Sequence, residues 1–459
     1  MIGKTYSVLL SLLFSLPRQA EFQRTDWLAD FHQLEEMISD TYPNLDSLTA
    51  LYHLDPYEMG KATEARLQKA QSEEEALTIL KNFVGEFHDG HFALETPKAD
   101  EAVAKNETAP IPKTSSGAVA CQQMLTQKAK APGFPFPTSA NLGFQEKRNA
   151  PFAFAALQIK NKRIALLRIP SFLQSNYPED CISAWENFRN SLQAPCEKEC
   201  QDTFKNIELP NRLLQKVSLL LKEAEKNSTA LLLDLTNNGG GTDWVGPVIR
   251  MLTVMPILCG QFGFIRHPHW VKNLTNQKEK LSLKLLNADA KSLRRLKEKL
   301  LQSEKDLAQA KEKCNRRKLW TEPNFKPHCS LVVKRELKDC SPSDDLHYRS
   351  GLYRKPLFLL VNNKTASASE DLVGRLQESK AAKILGEKTH GSGCGFTNGG
   401  IDLQLTHSRI KVRIPDCARF LRKGTNEVEG IAPDLEIRMK DIDSEDFSRR
   451  LKEALAKLL

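Results

Sequence analysis

"PLFLLVNNKTASASEDLVGRL", residues 356–376, decides how this chain is read. Its apolar opening suits a fully buried strand, and "SEDLVGRLQ" continues it as a helix. Ser367 and Ser369 sit in the turn between them. A serine at a strand-to-helix turn can expose its hydroxyl beside the amide of the next residue, here Ala368, and so act as a nucleophile. A serine that merely caps a helix has the same appearance in one dimension, and by composition alone the cap is the commoner outcome.

Working outward, other strand-like runs are "RIALLRI" (163–169), "ALLLDL" (230–235) and "AKILGE" (382–387). Helical patterns such as "NRLLQKVSLLLKEAEK" separate them, which predicts an α/β core with largely parallel strands. Towards the N-terminus, "TDWLADFHQLEEMISDTYP" sets Trp27, Phe31, Leu34 and Ile38 at helical spacing, and Ser72 with Glu75 forms a capping box for a further helix. "GIDLQLTHSRIKVRIP" predicts a hairpin, and "SEDFSRRLKEALAKLL" a closing amphipathic helix.

The first twenty residues carry a lysine, an apolar run from Val8 to Leu16, Pro17 and Ala20, the layout of a secretory signal too short to span a bilayer. All ten cysteines lie beyond it, and an even number in an exported chain permits disulfides whose pairing the sequence does not give. "CEKEC", Cys196 to Cys200, spaces two thiols for a metal, but no second pair or histidine cluster accompanies it. The net charge of +9 is local: residues 276–318 hold fourteen Lys and Arg against six Asp and Glu. Within that segment Leu286, Leu293, Leu300, Leu307 and Cys314 recur every seventh residue, while Asp289 and Ser303 break the opposing seam, so a helical hairpin is expected and a long coiled coil is not. Such an arm could be a lid or a docking element; a solvated charged face is the commoner outcome. Few aromatics interrupt it, which argues against nucleic-acid binding.

The chain thus divides into a signal peptide (1–20), an N-terminal helical domain (21–96), a linker of low regularity (97–150), a first part of the core (151–260), a basic helical insertion (261–355), a second part of the core (356–440) and a C-terminal helix (441–459).

In "LLLDLTNNGGG" the glycines Gly239, Gly240 and Gly241 let the backbone turn its amides toward one point, as anion and oxyanion sites require, although on its own a tight turn after a strand is the commoner explanation. Together with "FVGEFHDGHFALE", "PLFLLVNNKTASASEDLV" followed by "AKILGEKTHGSG", and "EVEGIAPDLEI", in that order, this motif makes the chain resemble the S41 peptidase family from about Trp27 to Arg438. That family includes the tail-specific, tricorn-core and photosystem C-terminal processing proteases. The resemblance implies a β/α spiral core related to Clp protease and crotonase. It also implies a serine endopeptidase acting on protein or peptide substrates without metal or organic cofactor, and the signal layout of the first twenty residues puts it outside the cytoplasm as an expectation.

By the same resemblance Ser367 is the nucleophile and Ser369 a helix residue. The tail-specific branch takes its base from a lysine in a G-K-G turn, but here that turn reads Gly391, Ser392, Gly393, and Lys364 and Lys388 stand elsewhere. The tricorn-like branch uses a histidine of a D-x-H motif, matched by His91, and a supporting glutamate before G-[VI]-x-P-D, matched by Glu427 with Glu429 as competitor. His88 is the weaker histidine. Gly90 stands where the tricorn core has a serine. The amides of Gly240 and Ala368 would form the oxyanion hole. Residues 97–150 lack the strands of a PDZ module. An inactive ligand- or protein-binding member of the same fold is the alternative reading.

Overall fold

The computed structural model describes residues 22–96, 109–125, 133–137, 144–149, 151–242, 244–337, 340–343 and 345–459. The expected signal peptide over 1–20, and much of the 97–150 connection, lie outside them.

The apolar runs form the middle of a seven-stranded sheet. Its order is Leu435–Glu436, Lys383–Gly386, Leu357–Val361, Ala230–Asp234, Lys162–Arg168, Phe152–Ile159, Phe144–Asn149. The first five strands are parallel and the last two antiparallel, so the sheet is mixed. Every residue of Ala230–Asp234 and Leu357–Val361 is buried, because both faces of the sheet are covered. On one face lie Leu213, Val217 and Leu221 of the helix Leu209–Asn227, with Leu372 and Leu376 of Ala368–Glu378. Phe447, Leu451 and Leu455 of the helix Glu445–Leu458 cover the other.

The N-terminal unit comprises four helices, Arg24–Thr41, Leu45–Tyr52, Pro56–Leu67 and Glu73–Gly85, and Trp27, Phe31, Leu34 and Ile38 are buried among them. Ser72 caps the last helix by accepting from the Glu75 amide at 3.2 Å, and the Glu75 carboxylate accepts from the Gln71 amide. The predicted C-terminal hairpin is present: the Val412 amide donates to the Leu403 carbonyl and the Leu405 amide to the Ile410 carbonyl, around the antiparallel bridge Gln404–Lys411. Its strand Lys411–Arg413 pairs with Ala93–Glu95, which ties the N-terminal unit to the core.

The basic insertion is not wholly helical. It opens with a strand, Gln261–Ile265, and returns with another, Val332–Glu336; these two and Cys417–Phe420 form a separate antiparallel sheet. Between them the helices Pro268–Leu286 and Ala290–Ala310 make the expected hairpin, and the break between them leaves Leu286 80% exposed, outside any packed seam. Past the hairpin, Trp320 donates to the Ser39 hydroxyl at 2.8 Å and packs on Phe83, while Arg316 pairs with Asp46. The insertion is therefore fastened to the N-terminal helices.

All ten cysteines are paired: Cys121–Cys181, Cys196–Cys200, Cys259–Cys340, Cys314–Cys329 and Cys394–Cys417. The Cys196–Cys200 pair accounts for "CEKEC" without a metal. Part of the segment read as a linker is anchored, since the helix Gly117–Met124 carries Cys121 and Ile111 pairs with Cys196.

Glu35, enclosed in the first helix, has its carboxyl pushed up to about 7, chiefly by burial and further by Glu64, against the opposing pull of His32. A carboxyl raised on folding contributes stability that is complete below its ordinary value of 4.5 and is lost as pH rises through 7. Glu35→Gln should therefore raise the unfolding free energy by ~1–3 kcal/mol at about pH 8 and change it little near pH 4.5. Urea midpoints at the two pH values check this; an unchanged midpoint at the higher one would contradict it.

Candidate active site

The two asparagine-rich turns that end neighbouring strands clasp each other. The Asn237 amide donates to the Asn362 side chain and the Asn362 side chain donates back to that of Asn237, both at 3.0 Å. The Ala366 amide then donates to the Asn238 carbonyl. These bonds lay the glycine turn along the serine turn. Gly240, at φ +88°, comes so close that a Cβ there would stand 2.7 Å from the Ala368 nitrogen and 2.8 Å from the Ser367 Cβ, so no side chain fits.

Ser367 begins the helix Ala368–Glu378 with φ 56° and ψ −118°, a conformation that costs a non-glycine residue on the order of 1–3 kcal/mol. Ser369, by contrast, is fully buried in the helix. Of the two serines only Ser367 is partly exposed.

The strain at Ser367 is held by Glu370, one turn on and completely buried. Its Oε2 accepts from the amides of Ser367 at 2.8 Å and Ser392 at 2.9 Å, and its Oε1 from the Thr389 hydroxyl at 2.6 Å and the Gly391 amide at 2.7 Å. One carboxylate thus joins the serine turn to the loop Gly391–Ser392–Gly393, in which the tail-specific branch would carry its lysine. Sequence reasoning missed Glu370, which reads as one more polar residue of a helix N-terminus; the only available signal was its place three residues after a serine, the pattern of a capping box.

The same loop holds His91. The His91 Nδ1 lies 3.0 Å from the Ser392 carbonyl, which can only accept, so Nδ1 carries the proton and the neutral ring keeps its lone pair on Nε2. The turn bearing His91 is fixed by Asp89, a further residue missed: it accepts from the His91 amide at 2.9 Å, from the Tyr42 hydroxyl and from Asn44. Gly90 packs against His390 and the Ser392 hydroxyl. His88 is exposed and packs at a tilt against Tyr52. Lys364 and Lys388 are exposed, and Cys394 is consumed in a disulfide. Ser367 and His91 share no direct hydrogen bond among those of the described residues; Glu370 and Ser392 bridge them.

Two expectations need correction. The Glu427 carboxylate does not hold His91 but pairs with Arg419 at 2.7 Å, and Arg419 Nη2 donates to the carbonyls of Ser367 and Gly393, each at 2.8 Å. Ser392 has taken the position beside Nδ1. The Gly240 amide is also engaged, donating to the Asn238 side chain at 2.9 Å within its own turn, whereas the Ala368 amide has no acceptor among the described residues. Glu429 is half-exposed, bonded through its amide to Asn426.

Burial pushes the Glu427 carboxyl up to about 7, with Asp371 and Glu370 adding to the rise and Arg419 opposing it. Burial pulls Arg419 down, but the Glu427 and Asp371 carboxylates outweigh it and keep the guanidinium charged. Arg419→Met removes the cation and leaves Glu427 buried alone, which should cost ~3–5 kcal/mol at about pH 8. A carboxyl raised on folding contributes stability below its ordinary 4.5 that is lost as pH rises through 7, so near pH 5 the unpaired Glu427 is protonated and the cost shrinks. Denaturant unfolding at both pH values measures it; a cost independent of pH would refute the assignment.

Comparison with known proteins fits this geometry. Residues 290–437 match the model of Peptidase family S41. A stretch of 39 residues is 56% identical to the carboxyl-terminal-processing protease of Synechocystis sp. (strain ATCC 27184 / PCC 6803 / Kazusa), covering 8% of this chain and 9% of that relative's length. The structure of mature CPAF superposes with a TM-score of 0.61 at 13% identity, over 95% of this chain and 98% of that one. Mature CPAF complexed with lactacystin gives 0.62 at 14% identity, over 95% and 98%. At such identities the likeness is one of fold. The family model is matched across the strands and turns around Ser367 and the fold of mature CPAF is shared along nearly the whole chain, so over residues 290–437 this chain is similar to peptidase family S41.

Proposed function

We propose that the protein is a serine peptidase that cleaves protein or peptide substrates through an acyl-enzyme on Ser367. The observation that carries this reading is the pairing of a strained, half-exposed Ser367 with an imidazole whose Nδ1 is capped by a carbonyl, both tied to the single carboxylate of Glu370.

In this scheme the Nε2 lone pair of His91 takes the Ser367 hydroxyl proton as Oγ attacks the substrate carbonyl. The oxyanion forms against the Ala368 amide, and the Gly240 amide contributes only if it leaves Asn238. Collapse of the tetrahedral species breaks the C–N bond as His91 returns the proton to the departing amine. A water molecule then repeats the sequence on the ester. Glu427 acts at one remove: it holds Arg419, which fixes the carbonyls on either side of the site. Removing one oxyanion donor costs ~3 kcal/mol of barrier in such sites. No organic cofactor or metal has a role in these steps.

The five disulfides support folding in an oxidising, extracytoplasmic compartment. No helix among the described residues is long and apolar enough to cross a membrane. We read nucleic acid as no partner of this protein.

A fluorophosphonate probe tests the assignment: it should label the wild type, fail to label Ser367→Ala, and label His91→Ala much more slowly. Equal labelling of Ser367→Ala would place the nucleophile elsewhere. Glu370→Gln replaces one acceptor oxygen with a donor facing amides, so kcat should fall ~100-fold or more while KM moves little. A change confined to KM would show that Glu370 does not set the geometry of Ser367.

A further inference from the structure

Beside the site lies a groove of about 680 Å³ that nothing above uses. One wall is the helix Pro268–Leu286, which contributes Lys272, Lys280 and Lys284; Asn398 and Gly400 form the opposite lip. All three lysines are exposed, none enters an ion pair among the described residues, and no carboxylate lines the groove. The neighbouring lysine that does find a partner, Lys278, reaches Glu304 of the adjacent helix.

One loop of the chain links the groove to the site. A Cβ on Gly395 would stand 3.1 Å from the His91 Nε2, and the Phe396 ring meets the His91 ring edge-on at 5.7 Å. Two residues further on, Asn398 is at the groove and donates to Asn273 across it. The loop is held in place by the Cys394–Cys417 disulfide and by the Thr397 amide, which donates to buried Asp416.

On this basis, and resting on the peptidase reading, we propose that the groove extends the substrate cleft and selects peptide segments bearing aspartate or glutamate beside the scissile bond. Along a helix Lys280 and Lys284 are about 6 Å apart and Lys272 about 12 Å before Lys280. Same-side residues of an extended peptide recur about every 6.6 Å, so alternate positions of one strand meet these cations in turn. Three unpaired ammonium groups facing one wall repel each other until a carboxylate arrives. No Phe, Tyr or Trp lines the groove, and the one ring there, His269, is held against Asp416 and the Thr397 carbonyl, which makes peptide the better fit than single-stranded nucleic acid.

The test is binding, measured on the full chain carrying Ser367→Ala so that nothing is cleaved. Fluorescence anisotropy compares a labelled peptide with alternating glutamates and the same peptide with glutamines in their place. The glutamate peptide should bind about tenfold tighter at low salt. That preference should vanish in Lys272→Gln/Lys280→Gln/Lys284→Gln and persist in the control Lys297→Gln/Lys305→Gln/Lys311→Gln on the other arm of the hairpin. Equal affinity for the two peptides, equal losses in the two triple variants, or tighter binding of an oligothymidylate would each overturn the proposal. Because the readout does not need turnover, failure of Ser367 to react with a fluorophosphonate would sink the peptidase reading and leave this result standing.

Discussion

A carboxylate without water must have its charge satisfied by protein donors, and Glu370 meets that demand with four. Hydrogen bonds to a charged group contribute roughly 1.5–3 kcal/mol each, comparable to the strain at Ser367, so the interaction can hold a φ of 56° that the local sequence would not choose. It also fixes the order of assembly in space. The donors come from the serine turn and from a loop some twenty residues later, and that loop presents the carbonyl that sets the tautomer of His91. Without Glu370 the Ser367 amide would lose the carboxylate that ties it to the loop bonded to His91, and Arg419 would be left to link the serine to that loop.

The interior of the sheet was legible because four or five consecutive apolar residues between turn signals suit a covered strand. Ala230–Asp234 and Leu357–Val361 are such runs. Gln261–Ile265 and Val332–Glu336 were not, since their side chains include glutamine, lysine, arginine and glutamate and they pair with each other across two helices. Candidate residues of the site were legible as motif positions, but their partners were not. Nothing local to Glu427 says that Arg419 will reach it first, and nothing local to His91 says that a backbone carbonyl three hundred residues away will occupy Nδ1. A chain records residue types in order; the competition among donors for one acceptor is settled only by packing.

The insertion belongs to this competition. Cys417–Phe420, the strand that carries Arg419, has as its sheet partner Gln261–Ile265, the first strand of the insertion. Cys259–Cys340 closes the base of the inserted segment, and Trp320 seats its far end among the N-terminal helices. The helical arm is thus mounted on the element that delivers the guanidinium to the Ser367 carbonyl, so its position and that of the site are mechanically linked.

Charge explains why Arg419 is worth this scaffolding. Glu370, Asp371 and Glu427 are all buried near one another, and three carboxylates in a medium of low dielectric would repel strongly. Asp371 is offset by Arg375 at 2.8 Å and Glu370 by its four donors, which leaves Glu427 to Arg419. Burial and the two neighbouring carboxylates nevertheless carry Glu427 up to about 7, so the pair is poised rather than saturated. Ionised, Glu427 pins the guanidinium between the carbonyls of Ser367 and Gly393; protonated, it weakens that hold. A carboxylate that bonded the imidazole directly would bear on that ring alone. One that works through Arg419 reaches the backbone carbonyls of Ser367 and Gly393.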